Sequence, residues 1–212
     1  MSRKVVSIIP IKMNNERLAN KNIKVLGDKP LIYYIQNTLL QVSLIDNRYV
    51  YCSNDDICTY LEHDMIYLPR PTFLDGNTTN FTQIFTEFSK IIEADVYIYT
   101  HATAPFLQSA TITECIEKVL TGDYDSAFTA VRLQDYIWKD GKAWNFDAAN
   151  IPRSQDLEVL YRETSGVYVF TREVFERYHR RVGLHPYIKE VGYREAVDIN
   201  VPEDFELAER LL

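Results

Sequence analysis

The sequence predicts an α/β protein in three layers, a mostly parallel sheet held between two layers of helices. Three observations carry this. Short β-prone runs and amphipathic helical stretches alternate strictly as far as Leu120, the pattern of right-handed strand–helix–strand crossovers. The first run, residues 5–10, is almost unbroken apolar sequence, as a strand buried on both faces requires. It gives way abruptly to amides and cations over residues 11–22, the place after a first strand where open α/β sheets hold their ligands.

The elements follow in order. Pro30 suits a first helical turn, and Leu31, Ile35 and Leu39 recur at four-residue spacing on one face of the first crossover helix. Residues 48–52 read as a strand ending in Ser53, Asn54, Asp55 and Asp56, an N-cap cluster for a following helical segment; Asp55 could also act at that strand end. Residues 65–68 are a third strand, closed by Pro69 and Pro71, which suit neither a helix nor a central strand. A helix is expected over 79–93, with Phe81, Ile84, Phe85 and Phe88 as its core stripe. Residues 95–99 form the next strand and 111–120 the next helix, with Ile112, Ile116, Val119 and Leu120 as its apolar positions.

The rhythm then breaks. Residues 125–133 are strand-like, but an irregular insertion near 134–162 carries Trp138 and Trp144 with no helical period and a hairpin turn at Asp140-Gly141. It reads as a dimer contact or a substrate-covering segment, with ordinary core packing as the alternative. A strand over 166–170 and a helix over 172–179 restore the pattern. Residues 196–200 read as a short strand before Pro202 opens the last helix. Alternation then turns Asp198 and Asn200 to one face, where two oxygen-bearing side chains can share a hard cation such as Mg²⁺. Both residue types also cap helices.

Length and composition narrow the class. The 212 residues suit one domain spanning 1–212, and 46% hydrophobic with 25% charged residues excludes a disordered chain. Tyrosine is abundant, which strand propensity or an interface would each explain. No apolar run is long enough for a membrane span and the opening residues show no leader pattern, so a cytoplasmic protein is expected. Cys52, Cys58 and Cys115 have no metal-site spacing and read as buried free thiols. The chain is acidic, −7 overall, yet residues 3–24 hold six basic residues and one acid. A local cationic loop on an acidic protein points to a phosphate pocket and away from a nucleic-acid or membrane surface; a solvated basic edge would account for the same charges.

Taken together, these stretches resemble the cytidylyltransferases that activate acidic sugars, the CMP-sialic acid and CMP-Kdo synthetase family. Residues 10–22, PIKMNNERLANKN, are similar to the family's P-A-R-x-x-S-K-x-L-P-x-K-N signature. Residues 197–205, VDINVPEDF, resemble its D-I-D-x-P-E-D close, and residues 162–170, RETSGVYVF, its R-x-N-G-A-I-Y strand. Residues 100–106 stand where the family has L-Q-P-T-S-P-L.

The resemblance implies a Rossmann-like nucleotidyltransferase fold, CTP as nucleotide, an acidic sugar as acceptor, Mg²⁺ as cofactor and a homodimer. Lys12, Arg17 and Lys21 would surround the triphosphate, and Asn22 would help fix the nucleotide. Arg70, Asn77, Thr78 and Thr79 would lie near cytidine. Asp198, with Asn200, would hold the metal, making Lys21, Arg17 and Asp198 the catalytic set. His101, Lys139, Arg153 and Arg162 would meet the sugar, Lys139 and Arg153 by reaching across a dimer. The chain departs from the family at Glu16 for a lysine, Asn200 for an aspartate, Lys12 for an arginine and His101 for a glutamine. The family's aromatic pair for an N-acyl group has no counterpart, and Val182, Gly183 and Leu184 stand near that position instead. A different, phosphorylated acceptor and a nucleotide-binding module without turnover are the alternatives these departures leave open.

Overall fold

The computed structural model of the chain describes residues 3–14 and 18–212. Its main sheet has seven strands, β1 (Val5–Ile11), β2 (Asn47–Cys52), β3 (Ile66–Pro69), β4 (Val96–Thr100), β5 (Ser126–Leu133), β6 (Leu160–Thr171) and β7 (Pro186–Glu190). They lie in the order β7-β5-β6-β4-β1-β2-β3, and every neighbouring pair is parallel except that β6 runs antiparallel to both β4 and β5. The α-helices are α1 (Leu31–Leu40), α2 (Phe81–Ser89), α3 (Ser109–Leu120), α4 (Arg172–Tyr178) and α5 (Pro202–Leu211). The mostly parallel α/β class expected from the alternation is the one observed.

Strand alternation sorts the core by chemistry. On one face Val5, Ile9, Val50, Val96, Ile98, Val167 and Val169 pack with Ile32 and Ile35 of α1 and Ile112 and Ile116 of α3. On the other, Tyr49, Tyr51, Tyr97, Tyr99, Tyr168 and Phe170 meet Phe85 and Phe88 of α2 and Phe175 of α4. Rings there are close and edge-on, as between Phe85 and Phe175 at 4.5 Å. Much of the tyrosine abundance therefore serves the sheet. Each fully buried side chain contributes about 1.5–3 kcal/mol of burial free energy before entropy is counted.

Several boundaries differ from expectation for local reasons. The helix expected over 79–93 is confined to α2 because Asn80 and Gln83 form a reciprocal capping box and Lys90 closes the other end. The segment after Asn54 is a 3-10 helix, Asp55–Tyr60, with Asn54 accepting from the Asp56 amide; Asp55 is exposed in its first turn. Cys58 is exposed, while Cys52 and Cys115 are buried. β7 was invisible in the pattern, since its residues are half-buried at a sheet edge.

The short strand expected over 196–200 is absent. A turn over residues 193–196 leads into the segment, and the backbone amide of Ile199 donates to the Thr103 carbonyl at 2.8 Å, pinning it to the loop after β4 without a ladder. The hairpin turn at Asp140-Gly141 is present between Trp138–Lys139 and Lys142–Ala143, with φ of 51° and 74°. Trp138 and Trp144 remain 59% and 57% exposed, which excludes core packing as their role in this chain alone.

Candidate active site

The chain order reverses between β1 and β4, with β2 and β3 on one side and β6, β5 and β7 on the other. At the carboxyl ends of β1 and β4, where such sheets bind ligands, three contiguous chambers form one cleft. The first, about 280 Å³, is lined by Lys12, Arg70, Gly76, Thr79, Phe81 and Tyr99 among others. The middle one, also about 280 Å³, holds Lys12, Lys21, Asn22, His101, Ser165, Asp198 and Asn200. The third, about 430 Å³, takes in Arg162, Glu163, Tyr193, Asp198, Asn200 and Asp204.

The loop after β1 supplies the near wall. Asn20 adopts a left-handed conformation, φ 52°, and starts a 3-10 turn over Lys21–Ile23. Asn22 is buried and donates to the Lys12 carbonyl at 2.9 Å, folding the loop back on its own start. Lys12 Nζ reaches Asn77 Oδ1 at 2.5 Å, and Lys21 Nζ reaches the Ile199 carbonyl at 2.9 Å. This last bond draws the cationic loop against the segment that carries Asp198.

Arg70 follows β3 and is buried. Its Nη2 pairs with Asp75, whose other oxygen accepts from Ser53 Oγ at 2.5 Å. Arg70 Nε is buried without a hydrogen-bond partner among the described residues. Such a donor costs about 1–3 kcal/mol if left so, and a ligand oxygen in the first chamber would satisfy it.

The far wall is built by a bulge. β6 slips register between Glu163 and Tyr168, with Ser165 at φ 58°. Thr164 Oγ1 donates to the Thr129 carbonyl at 3.1 Å and lies 2.7 Å from Thr129 Oγ1, so the bulge's buried hydroxyls are satisfied. The bulge directs the Ser165 carbonyl to His101 Nδ1 at 2.7 Å. A carbonyl only accepts, so Nδ1 carries the proton and Nε2 is an acceptor in the neutral ring. Burial holds the His101 imidazole below its usual value; the Ser165 bond opposes this, Arg181 adds to it, Asp198 opposes it and Lys21 adds to it.

Asp198 Oδ2 accepts from Asn200 Nδ2 at 2.7 Å, so the two side chains do meet, although not through strand pleating. Asp204 accepts from the backbone amides of Asn200 and Val201 at 2.7 and 3.0 Å and fixes the start of α5. No cluster of three or more acidic, His or Cys residues able to hold a metal occurs among the described residues. An ion here would rest on Asp198, with the Asn200 amide oxygen, water and substrate oxygens completing its shell, a donor set that suits Mg²⁺.

The structure thus brings Lys12, Lys21, Asn22, Arg70, Thr79, His101, Arg162, Asp198 and Asn200 into one cleft, with Asn77 on Lys12. Thr78 is exposed and lines none of the three chambers. Lys139 and Arg153 also lie outside their linings; Arg153 instead pairs with Asp156 at 2.7 Å. Glu16 and Arg17 fall outside the described residues. Sequence reasoning missed Ser165 and Arg181. The one available signal for Arg181 was the Arg180-Arg181 pair just past a helix end, which by itself reads as a solvated surface.

A family model described as cytidylyltransferase matches residues 6–212. The N-acylneuraminate cytidylyltransferase of Oncorhynchus mykiss is 26% identical over 98% of this chain and 50% of its own length. The 3-deoxy-manno-octulosonate cytidylyltransferase of Chlorobium phaeobacteroides is 25% identical over 99% of this chain and 97% of its own. The chain spans about half the length of the first of these relatives. Among solved structures, a CMP:2-keto-3-deoxy-manno-octonic acid synthetase complexed with CTP superposes with a TM-score of 0.70 at 14% identity, covering 98% of both chains.

Proposed function

Because the chain belongs to the cytidylyltransferase family, we propose that it transfers CMP from CTP to an acidic sugar, a sialic, legionaminic or related nonulosonic acid, releasing pyrophosphate. The observation that carries this reading is the bond from Lys21 Nζ to the Ile199 carbonyl, which closes the cationic β1 loop over Asp198 inside one cleft. In this reading cytidine occupies the first chamber against Arg70 and Thr79, the pyrophosphate portion the middle one, and the acceptor the third beside Arg162. A sugar hydroxyl attacks the α-phosphorus and the bond to the β-phosphate oxygen breaks. Lys12, Arg17 and Lys21 meet the charge that moves onto the departing pyrophosphate, where fixed cations act most strongly. Asp198 and Asn200 would hold Mg²⁺, which supplies further charge neutralisation at the phosphates. Neutral His101, with Nε2 as acceptor, orients the attacking hydroxyl where the acceptor reaches out of the third chamber toward the α-phosphorus. The exposed tryptophans of 134–162 suit a homodimer contact that would bring Lys139 and Arg153 to a neighbouring cleft.

Pyrophosphate release from CTP and MgCl2, measured across sialic, legionaminic, pseudaminic and Kdo-type acids, tests the reading. Release with one of these acids, and a product mass equal to its CMP conjugate, is the expected result. Release only with a phosphorylated acceptor moves the function to CDP-linked products, and CTP binding without release under any condition reduces it to a nucleotide-binding module.

A further inference from the structure

The cleft holds a cation that the β1 loop does not supply. Arg181 lies just beyond His179, whose left-handed conformation, φ 52°, stops α4 and turns the chain back toward the sheet. Its guanidinium sits 3.6 Å from the centre of the Tyr168 ring and 5.6 Å from that of Phe81. Its Nη2 donates to Glu163 Oε1 at 3.2 Å, and the fully buried Tyr168 gives its hydroxyl to the same oxygen. The group is therefore held in place by stacking and by one partly exposed carboxylate, and its remaining donors have no hydrogen-bond partner among the described residues.

The placement is specific. Arg181 lines both the first and the middle chamber, and among the described residues the other cation shared by the two is Lys12. We propose that Arg181 binds the α-phosphate of the nucleotide, an assignment that rests on the CTP reading above. A nucleotide with its base in the first chamber and its pyrophosphate in the middle one must pass its α-phosphate through their boundary. Among the described residues the cations at that boundary come from two separate segments, Lys12 from the β1 loop and Arg181 from the chain after α4. Lys12 is a point charge, whereas Arg181 offers a planar fork that matches two phosphate oxygens. Glu163 is 43% exposed on its side chain, so its hold on Arg181 is that of a screened surface partner and yields to a phosphate.

Titration calorimetry with MgCl2 present tests this on the whole chain, using CTP, CMP and cytidine on the wild type and on Arg181→Gln and Arg181→Lys. Arg181→Gln should weaken CTP and CMP by about tenfold each and leave cytidine within twofold, with Arg181→Lys intermediate. Glu163→Gln, which frees the arginine, should hold CTP affinity or improve it. Equal CTP affinity in wild type and Arg181→Gln overturns the assignment while the CTP reading stands, as does a loss for CTP without one for CMP, which would place the contact on the outer phosphates. A loss that extends equally to cytidine assigns the residue to the shape of the site and overturns it too. If Arg181→Gln does not fold, Arg181→Lys with wild-type affinity for CMP is the overturning result. No CTP binding by the wild type removes the reading and the assignment together.

Discussion

The two walls of the cleft are made differently. The β1 side takes Lys12, Lys21 and Asn22 from a single loop, tied together by the Asn22 bond to its own loop carbonyl. The β6 side takes His101, Ser165, Arg181 and Asp198 from four separate segments, brought together by the bulge in β6, the left-handed end of α4 and the bond from Ile199 to Thr103. Their electrostatics differ as well. Among the described residues the loop presents cations, while the opposite wall interleaves Arg181 with Glu163 and Asp198. A wall of one sign attracts a polyanion with little selectivity, and a wall of mixed sign fixes which atoms of it lie where.

Breaking each wall in turn separates the two roles. Asp198→Ala on the β6 side should lower pyrophosphate release by about a thousandfold, while Mg²⁺-free CTP binding stays near wild type. Lys21→Ala should cost a comparable factor in turnover and also weaken CTP itself, because it removes charge from the attracting wall. Initial rates beside CTP titrations read both quantities, and near-wild-type turnover in either variant would sink the site assignment. Next in size is Arg70, which serves the first chamber as a buried half of an ion pair. Arg70→Met should destabilise the fold by about 3 kcal/mol, since it strands Asp75, and adding Asp75→Asn should recover much of that in urea denaturation. Full additivity of the two changes would mean that the pair does not act as a unit.

The same contrast explains what could be read from the sequence. The sheet class was legible because burial on both faces leaves continuous apolar runs at Val5–Ile11 and Val96–Thr100, and several helix starts are marked by a proline or a cap, as at Pro30, Asn54 and Pro202. The β1 wall was legible because its side chains are neighbours along the chain. The β6 wall was not. Asp198 and Asn200 were singled out for a strand that does not form, and they converge instead through a side-chain bond next to α5. Arg181 was missed because nothing local to residues 179–184 shows that Tyr168 and Phe81 will receive it. Residues on different strands become neighbours through register, and a bulge such as that at Thr164–Val167 changes register without a distinctive local pattern beyond Ser165-Gly166.

His101 gives the smallest and most local test of the mixed wall. Its imidazole is held below its usual value, first by burial and then, against the Ser165 and Asp198 contributions, by Arg181 and Lys21. The unfolded ring takes up a proton near pH 6.5, whereas the folded one resists until lower pH. The contribution to stability is therefore complete above about pH 6.5 and is lost as pH falls toward the folded value, because the unfolded chain then binds the extra proton. At one pH unit below the unfolded value the loss is at most about 1.4 kcal/mol. Urea unfolding of wild type and His101→Gln at pH 7.5 and 5.5 isolates it, since His63, His179 and His185 contribute alike to both proteins. The wild type should lose more stability across that interval than the variant. A smaller loss in the wild type would mean that Asp198 governs the ring and that the cations of this wall lie too far from it to matter.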